Sequence, residues 1–361
     1  MLSYLLAFSG AFLLTLLFTP LVKRLAVRVG AFDHPNEARR VHQAPMPRLG
    51  GAAIYAAFVL TWCVCTWFEP MWLATGKLLL AATPIFVLGV VDDLRGVSER
   101  WKLIVPACCA VLLYYFGWRV TALSLLPGMT FDVPMWLGSV LTVLWLVGLT
   151  NGFNLMDGLD GLAVGVSVLA LSAVLGCALV LGPPESVWMT ALLTAMLLGA
   201  LLGFLPYNFN PARIFLGDSG SLMLGFMMAA LTLRGTATEA GTVSIVAPVI
   251  LGLPLLEAVV TLLRRRIAGQ PLLPGDRGHF HHKLLELGLS QRQAVLRLYG
   301  AGLVFAVSGL VLLRAGKLLT IGVLLLLGIG IVWGVRALLY AEFRNNPASR
   351  SERVSEQYRE R

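Results

Sequence analysis

Long apolar runs separated by short polar segments make up most of the chain. A membrane-crossing helix needs about 17 to 25 largely apolar residues. Eleven stretches approach or meet that need: roughly 1–22, 50–68, 77–91, 101–117, 136–153, 162–181, 188–205, 219–233, 244–263, 296–314 and 318–340. The pattern predicts an all-α integral membrane protein with about eleven transmembrane helices. One polytopic domain covers 1–340, and 341–361 reads as a polar cytoplasmic tail. The first run lacks both a basic leader and a small-residue cleavage site, so it reads as a span and not as a signal peptide. Pro248 and Pro254 should bend the helix over 244–263. Ser290 and Gln293 have capping-box spacing and should start the helix that leads into 296–314.

Composition agrees with this pattern. Of 361 residues, 58% are hydrophobic and 13% charged, with mean hydropathy +0.81, against roughly one quarter charged in soluble domains. The formal net charge of +9 is unevenly placed. With eleven spans, 22 of the 28 Lys and Arg fall in or beside the loops 23–49, 92–100, 154–161, 206–218 and 264–295 and the tail. Loops rich in Lys and Arg stay in the cytoplasm, which puts the amino terminus outside, the carboxyl terminus inside. The basic excess therefore calls for no nucleic-acid partner, and it suits a surface that meets anionic membrane lipid. Cys63, Cys65, Cys108, Cys109 and Cys177 all lie in apolar runs without a C-x-x-C pair and read as packing residues.

The polar clusters gather on that same side, which points to a site at the cytoplasmic face built from several loops. Asp92 and Asp93 end a span. Adjacent carboxylates can hold a divalent cation or take a proton, although an acidic pair at a helix end is also commonly just solvated. In "NLMDGLDGL", 154–162, a continued helix would bring Asn154, Asp157 and Asp160 to one face through i, i+3 spacing. Gly158 and Gly161 would let a ligand approach the backbone. Gly and Asp also form ordinary turns, but a bare turn does not require D-G-x-D-G beside an Asn.

"GDSGS", 217–221, puts Asp218 at a helix start, where backbone amides favour anions and the carboxylate favours Mg²⁺. The plainer reading is a helix cap. Just before it, Asn208 and Phe215 offer an amide and an aromatic ring that could serve a base or a sugar. Arg264, Arg265 and Arg266 close the ninth span, and one or two of them read as topology anchors. Glu257, seven residues before Arg264 and on about the same helix face, is an acid inside a span and so a functional candidate. "GDRGHFHH", 275–282, follows Asp276 with His279, His281 and His282. Clustered histidines suggest a transition metal, yet the carboxylate-rich remainder is hard-cation chemistry, and phosphate recognition is the more coherent role.

Taken together, the adjacent Asp pair, the N-x-x-D-G-x-D-G loop, "YNFNPARIFLGDSGS" and the late histidine cluster resemble the polyprenyl-phosphate N-acetylhexosamine-1-phosphate transferase superfamily, in family order along nearly the whole chain. "DHPNEARRVH", "PRLGG" and "DRGHFHH" resemble the bacterial undecaprenyl-phosphate N-acetylglucosamine-1-phosphate transferases that start O-antigen, enterobacterial common antigen and teichoic acid synthesis. The peptidoglycan translocases have a P-T-M-G-G-like segment and three consecutive histidines. Here Arg48 and Leu49 replace the first, and Phe280 interrupts the second.

The resemblance implies a reaction: polyprenyl phosphate attacks the β-phosphorus of a UDP-N-acetylhexosamine, with N-acetylglucosamine the first choice, and UMP leaves. The product is the lipid-diphosphate-sugar that initiates a cell-surface polysaccharide. By the same resemblance Asp218 and Asn154 would hold Mg²⁺, for which Mn²⁺ could stand in, and Asp92 and Asp93 would engage or deprotonate the lipid phosphate. Asp157, Asp160, Asn208 and Phe215 would line the nucleotide and sugar pocket. Arg265, His279, His281 and His282 would act on the diphosphate, with Asp276 a substrate-binding residue of the same loop. Implied partners are undecaprenyl phosphate and the UDP-sugar in a bacterial inner membrane, with room for a homodimer. Direct displacement and a covalent aspartyl intermediate both remain open. So do two alternatives, a translocase using UDP-MurNAc-pentapeptide and a transporter. A transporter's substrate site, however, usually sits near the bilayer midplane between repeated halves, and no repeat is visible.

Overall fold

The computed structural model of the chain describes residues 2–33, 45–67, 72–182, 185–236, 242–267, 269 and 279–345. Asp276, most of "DHPNEARRVH" and the tail beyond 345 lie outside the described residues. Helices dominate: α1 (Leu2–Val29), α2 (Gly50–Thr66), α3 (Trp72–Arg95), α4 (Trp101–Tyr115), α5 (Met135–Met156), α6 (Leu162–Leu181), α7 (Glu185–Asn208), α8 (Asp218–Gly235), α9 (Val246–Ile250), α10 (Gly252–Ile267), α11 (Phe280–Glu286), α12 (Gln291–Arg314) and α13 (Lys317–Asn345). Seven of them, α1, α3, α5, α6, α7, α12 and α13, are long and apolar enough to cross a membrane, and α2 and α4 are shorter apolar helices. This is a mostly helical, multi-pass membrane protein.

Ten of the eleven apolar stretches each correspond to one helix, three of them running past its ends by one or two residues. The exception is 244–263, where the expected bend is a break. α9 ends at Leu251 (φ −92°, ψ 22°), and α10 begins anew at Gly252. Pro254 then falls in the first turn of α10, where a missing N–H costs nothing. Five short strands also depart from the all-helical expectation. β1 (Phe32–Asp33) pairs antiparallel with β2 (Met46–Pro47). At the far end of α4, β3 (Ala122–Leu126) pairs antiparallel with β4 (Met129–Asp132) and parallel with β5 (Thr242–Ser244). The β3–β4 turn contains Pro127 and Gly128, whose φ of 75° is open to glycine.

The core is organised around α8, whose middle is apolar all round and fully buried. It packs against α3, α5, α2, α6 and α7. Small residues permit these approaches, as expected where helices pack without a strong hydrophobic drive between them. A Cβ on Gly225 would meet the Leu149–Thr150 backbone of α5, and Cβ atoms on Gly199 and Gly203 of α7 would meet the Phe8 and Phe12 carbonyls of α1. On the outside the pattern inverts. Leu318, Leu326 and Trp333 of α13 are 87%, 71% and 74% exposed, an apolar surface suited to lipid and costly in water.

Candidate active site

Glycines bring the Asp92–Asp93 pair and the "GDSGS" segment into register. Gly89 of α3 lies so close to the Asp218–Ser219 backbone that a Cβ would collide with it. One turn further on, Asp93 faces the amino terminus of α8. Its Oδ1 accepts from the Asp218 N–H at 2.9 Å, and its Oδ2 accepts from the Ser219 N–H at 3.1 Å. These are orphan donors of a helix start, and a carboxylate there also meets the positive end of the helix dipole. The "PRLGG" segment locks the same junction from the other side. Phe215 N–H donates to Pro47 O at 2.9 Å, Gly50 N–H to Phe215 O at 2.9 Å, and Gly51 N–H to Leu216 O at 2.8 Å. Gly51 and Gly220 then touch backbone to backbone with no room for a side chain.

Two cations balance this junction. Lys102, at the start of α4, donates to Asp218 Oδ2 at 2.6 Å and lies 3.2 Å from Asp92 Oδ2 and 3.8 Å from Glu99 Oε1. Asp92 uses its other oxygen to accept from Val97 N–H at 2.7 Å. Arg48 caps the end of α3 by donating to the carbonyls of Asp93 (3.1 Å) and Asp92 (2.9 Å). It also lies 3.7 Å from Asp93 Oδ1 and 3.8 Å from Asp33 Oδ1. Asp92 and Asp93 are both buried.

The "NLMDGLDGL" segment does not continue as a helix. α5 stops at Met156, and 157–161 form turns that end at Gly161 with φ 78°. The three side chains expected on one face therefore part company. Asn154 stays on the helix and donates to Ser221 Oγ of α8 at 3.0 Å. Asp160 turns toward the loop after α7, where its Oδ2 accepts from Asn210 Nδ2 and from Ala212 N–H, each at 3.0 Å. Asp157 is half-buried between them. Burial first, then the negative charges of Asp218, Asp93 and Asp160, push its carboxyl well above the usual carboxylate range. Asn208 ends α7 and donates to Ile214 O at 3.1 Å, while its buried Oδ1 has no hydrogen-bond partner among the described residues.

The histidine cluster reaches this same region through a glycine. A Cβ on Gly158 would collide with Nε2 of His281. His281 is buried, its ring parallel to that of His279 at 5.5 Å, and the His282 ring is 4.4 Å from it. Burial, with His282 and His279 adding to it, holds the His281 pKa well below its ordinary value, so this ring is neutral. On α10 the buried stripe runs Glu257, Thr261, Arg265, and Arg264 is only partly buried. The helix face expected to pair Glu257 with Arg264 thus belongs to Arg265, eight residues on.

The oxygen donors here, Asp92, Asp157, Asp218 and Asn154, are the ligand types a hard divalent cation takes, and the crowding felt by Asp157 is the repulsion such a cation would relieve. Among the described residues, no three His, Cys, Asp or Glu side chains converge as a ready metal cage. Lys102 Nζ bridges Asp92 and Asp218 instead.

The profile of glycosyl transferase family 4 matches residues 76–236, the stretch from α3 through α8 that carries Asp92, Asn154, Asp157, Asn208 and Asp218. A Bacillus subtilis protein named a probable undecaprenyl-phosphate N-acetylglucosaminyl 1-phosphate transferase is 38% identical over 326 residues, covering 89% of this chain and 88% of its own. The chain belongs to glycosyl transferase family 4. It is a member of the polyprenyl-phosphate N-acetylhexosamine-1-phosphate transferases that its motifs resemble. A Mycolicibacterium smegmatis decaprenyl-phosphate N-acetylglucosaminephosphotransferase is 32% identical, covering 80% of this chain and 77% of its own. The Escherichia coli K12 undecaprenyl-phosphate alpha-N-acetylglucosaminyl 1-phosphate transferase is 29% identical, covering 87% and 81%.

Several residues of this family 4 junction were not singled out from sequence. Lys102 counted only toward orientation, although a lysine inside an apolar helix is itself a signal. Arg48 stood within "PRLGG" without a role of its own. Ser221 and Asn210 carried no signal, because only the fold brings them to Asn154 and Asp160.

Proposed function

We infer that the protein transfers N-acetylglucosamine-1-phosphate from UDP-N-acetylglucosamine to undecaprenyl phosphate, releasing UMP, at the cytoplasmic face of a bacterial inner membrane. The observation that carries this reading is the junction of α3, α4 and α8, where Asp92, Asp93 and Asp218 meet Lys102 and Arg48 at helix ends. A transporter would place its charges nearer mid-helix. The orientation with the amino terminus outside and the carboxyl terminus inside follows from the Lys and Arg distribution.

Phosphoryl transfer asks for positioning and charge stabilisation more than for covalent help. Asp218 and Asn154 would hold Mg²⁺, which when bound offsets charge on the diphosphate and on the departing UMP. Asp93 anchors α8 and thereby sets Asp218. Asp92 meets the lipid phosphate beside Lys102, whose ammonium is placed to draw in one anion. A lipid phosphate is largely ionised at neutral pH, so Asp92 serves to orient it and need not take a proton. Asn208 offers its unpartnered carbonyl oxygen to the nucleotide or sugar. His279 and Arg265 face the diphosphate.

The names of the relatives favour N-acetylglucosamine over the pentapeptide donor. Purified protein given undecaprenyl phosphate, Mg²⁺ and UDP-N-acetylglucosamine should form the lipid-linked sugar diphosphate, detected by mass spectrometry. Formation of product only from UDP-MurNAc-pentapeptide would move the protein to the peptidoglycan branch.

A further inference from the structure

The geometry points to Glu257 as the positioning residue of the histidine loop: it holds His279 through Nδ1 and the Phe280 amide beside it, so that His279 meets the UDP-sugar diphosphate with its Nε2 edge. This rests on the phosphotransfer reading above and assigns a residue to it.

Glu257 is an acid on an apolar helix, 4% exposed. A carboxylate so placed is costly unless its oxygens are hydrogen-bonded. Both are. Oε1 lies 2.7 Å from His279 Nδ1, and Oε2 accepts from Phe280 N–H at 3.3 Å. Thr261, one turn along the same stripe, puts its hydroxyl 3.4 Å from the same Nδ1. One side chain of α10 therefore grips His279, the residue that precedes α11, and Phe280, the first residue of α11.

The pairing has a chemical consequence. A carboxylate on Nδ1 fixes that nitrogen as the N–H, leaving Nε2 as the one ring position open to a ligand. When the ring is protonated, Nε2 carries an N–H that an anionic diphosphate can meet, in a direction fixed by the Glu257 contact at Nδ1. His281 is in a different position, since its Nε2 is buried against Gly158 without a hydrogen-bond partner among the described residues. His279 and His281 are therefore not equivalent. Of these two, His279 is the one equipped to meet an anion, and His281 packs against the "DGLDG" turn.

The test is a cycle of Glu257→Gln and His279→Ala, singly and together, in purified protein. Glu257→Gln is nearly isosteric, and thermal midpoints would establish that each variant folds. The expected result is a rise of about tenfold in KM for UDP-N-acetylglucosamine in Glu257→Gln, with a smaller change in KM for undecaprenyl phosphate. In the His279→Ala background, the same substitution should add less than about twofold, since there is no ring left to position. Effects of Glu257→Gln that multiply with those of His279→Ala would overturn the proposal, as would an unchanged KM for the UDP-sugar. If the wild-type protein uses no UDP-sugar at all, the functional reading fails, and the pairing is judged from the thermal midpoints alone. Non-additive midpoints would uphold the grip on His279, and additive ones would refute it.

Discussion

Lys102 of α4 donates a 2.6 Å hydrogen bond to Asp218 of α8, with side chains 9% and 21% exposed. Breaking a buried pair by removing one partner leaves the other charge uncompensated. Lys102→Met should therefore destabilise the protein by about 3 kcal/mol and lower turnover by at least about 100-fold. Thermal unfolding and UMP release, measured on the same preparation, check both.

Asp93 makes a separable prediction, because both its oxygens are used on the α8 amino terminus. Hydrogen bonds to a charged group contribute about 1.5–3 kcal/mol each. Asp93→Ala should cost about 2–4 kcal/mol in stability and most of the activity, through displacement of Asp218. Asp93→Asn, which keeps one acceptor, should lose about half as much. An inactive Asp93→Ala protein with an unchanged thermal midpoint would point to direct chemistry by Asp93 instead.

The acidic motifs were legible in the sequence because carboxylates and glycines stand out inside apolar runs. Their division of labour was not. Nothing in "VDDLRG" says that Asp93 turns to a helix start 125 residues away while Asp92 turns to Lys102. Periodicity suggested a helical face for Asn154, Asp157 and Asp160, but Gly158 and Gly161 let the chain turn instead. The break between α9 and α10 was half-legible. The prolines were visible, yet a hydropathy window spans a break as readily as a bend. The β3–β4 hairpin hid in the gap between two apolar stretches, marked only by Pro127 and Gly128.

Gly158 lies against the His281 ring with no space for a methyl group. Gly158→Ala should push the histidine loop away from the "DGLDG" turn and lower kcat/KM for the UDP-sugar by about tenfold or more. Gly148, on α5 with open space around its Cβ position, is the control. Gly148→Ala should leave activity unchanged and stability equal or slightly higher. Equal kinetics for the two variants would argue against that contact.

His281 adds a pH dependence. Its folded pKa is held well below the ordinary value by burial, while the unfolded ring titrates near about 6.5. Between those limits the unfolded state binds more protons, so stability rises with pH. The contribution is complete above about pH 6.5 and is lost as pH falls below it. Wild-type protein should lose thermal stability between pH 7.5 and 5.5, and His281→Gln should lose less over the same interval. Equal losses in the two proteins would assign the effect to another group.

The central claim is that the α3–α4–α8 junction drives transfer from a UDP-amino sugar. Its most direct test is UMP release by wild-type and Asp218→Ala protein, with undecaprenyl phosphate and Mg²⁺, across UDP-N-acetylglucosamine, UDP-N-acetylgalactosamine and UDP-MurNAc-pentapeptide. The account predicts UMP from UDP-N-acetylglucosamine with wild-type protein and none with a folded Asp218→Ala variant. Near-normal Mg²⁺-dependent release by Asp218→Ala, or no release from any donor by the wild type, would contradict it.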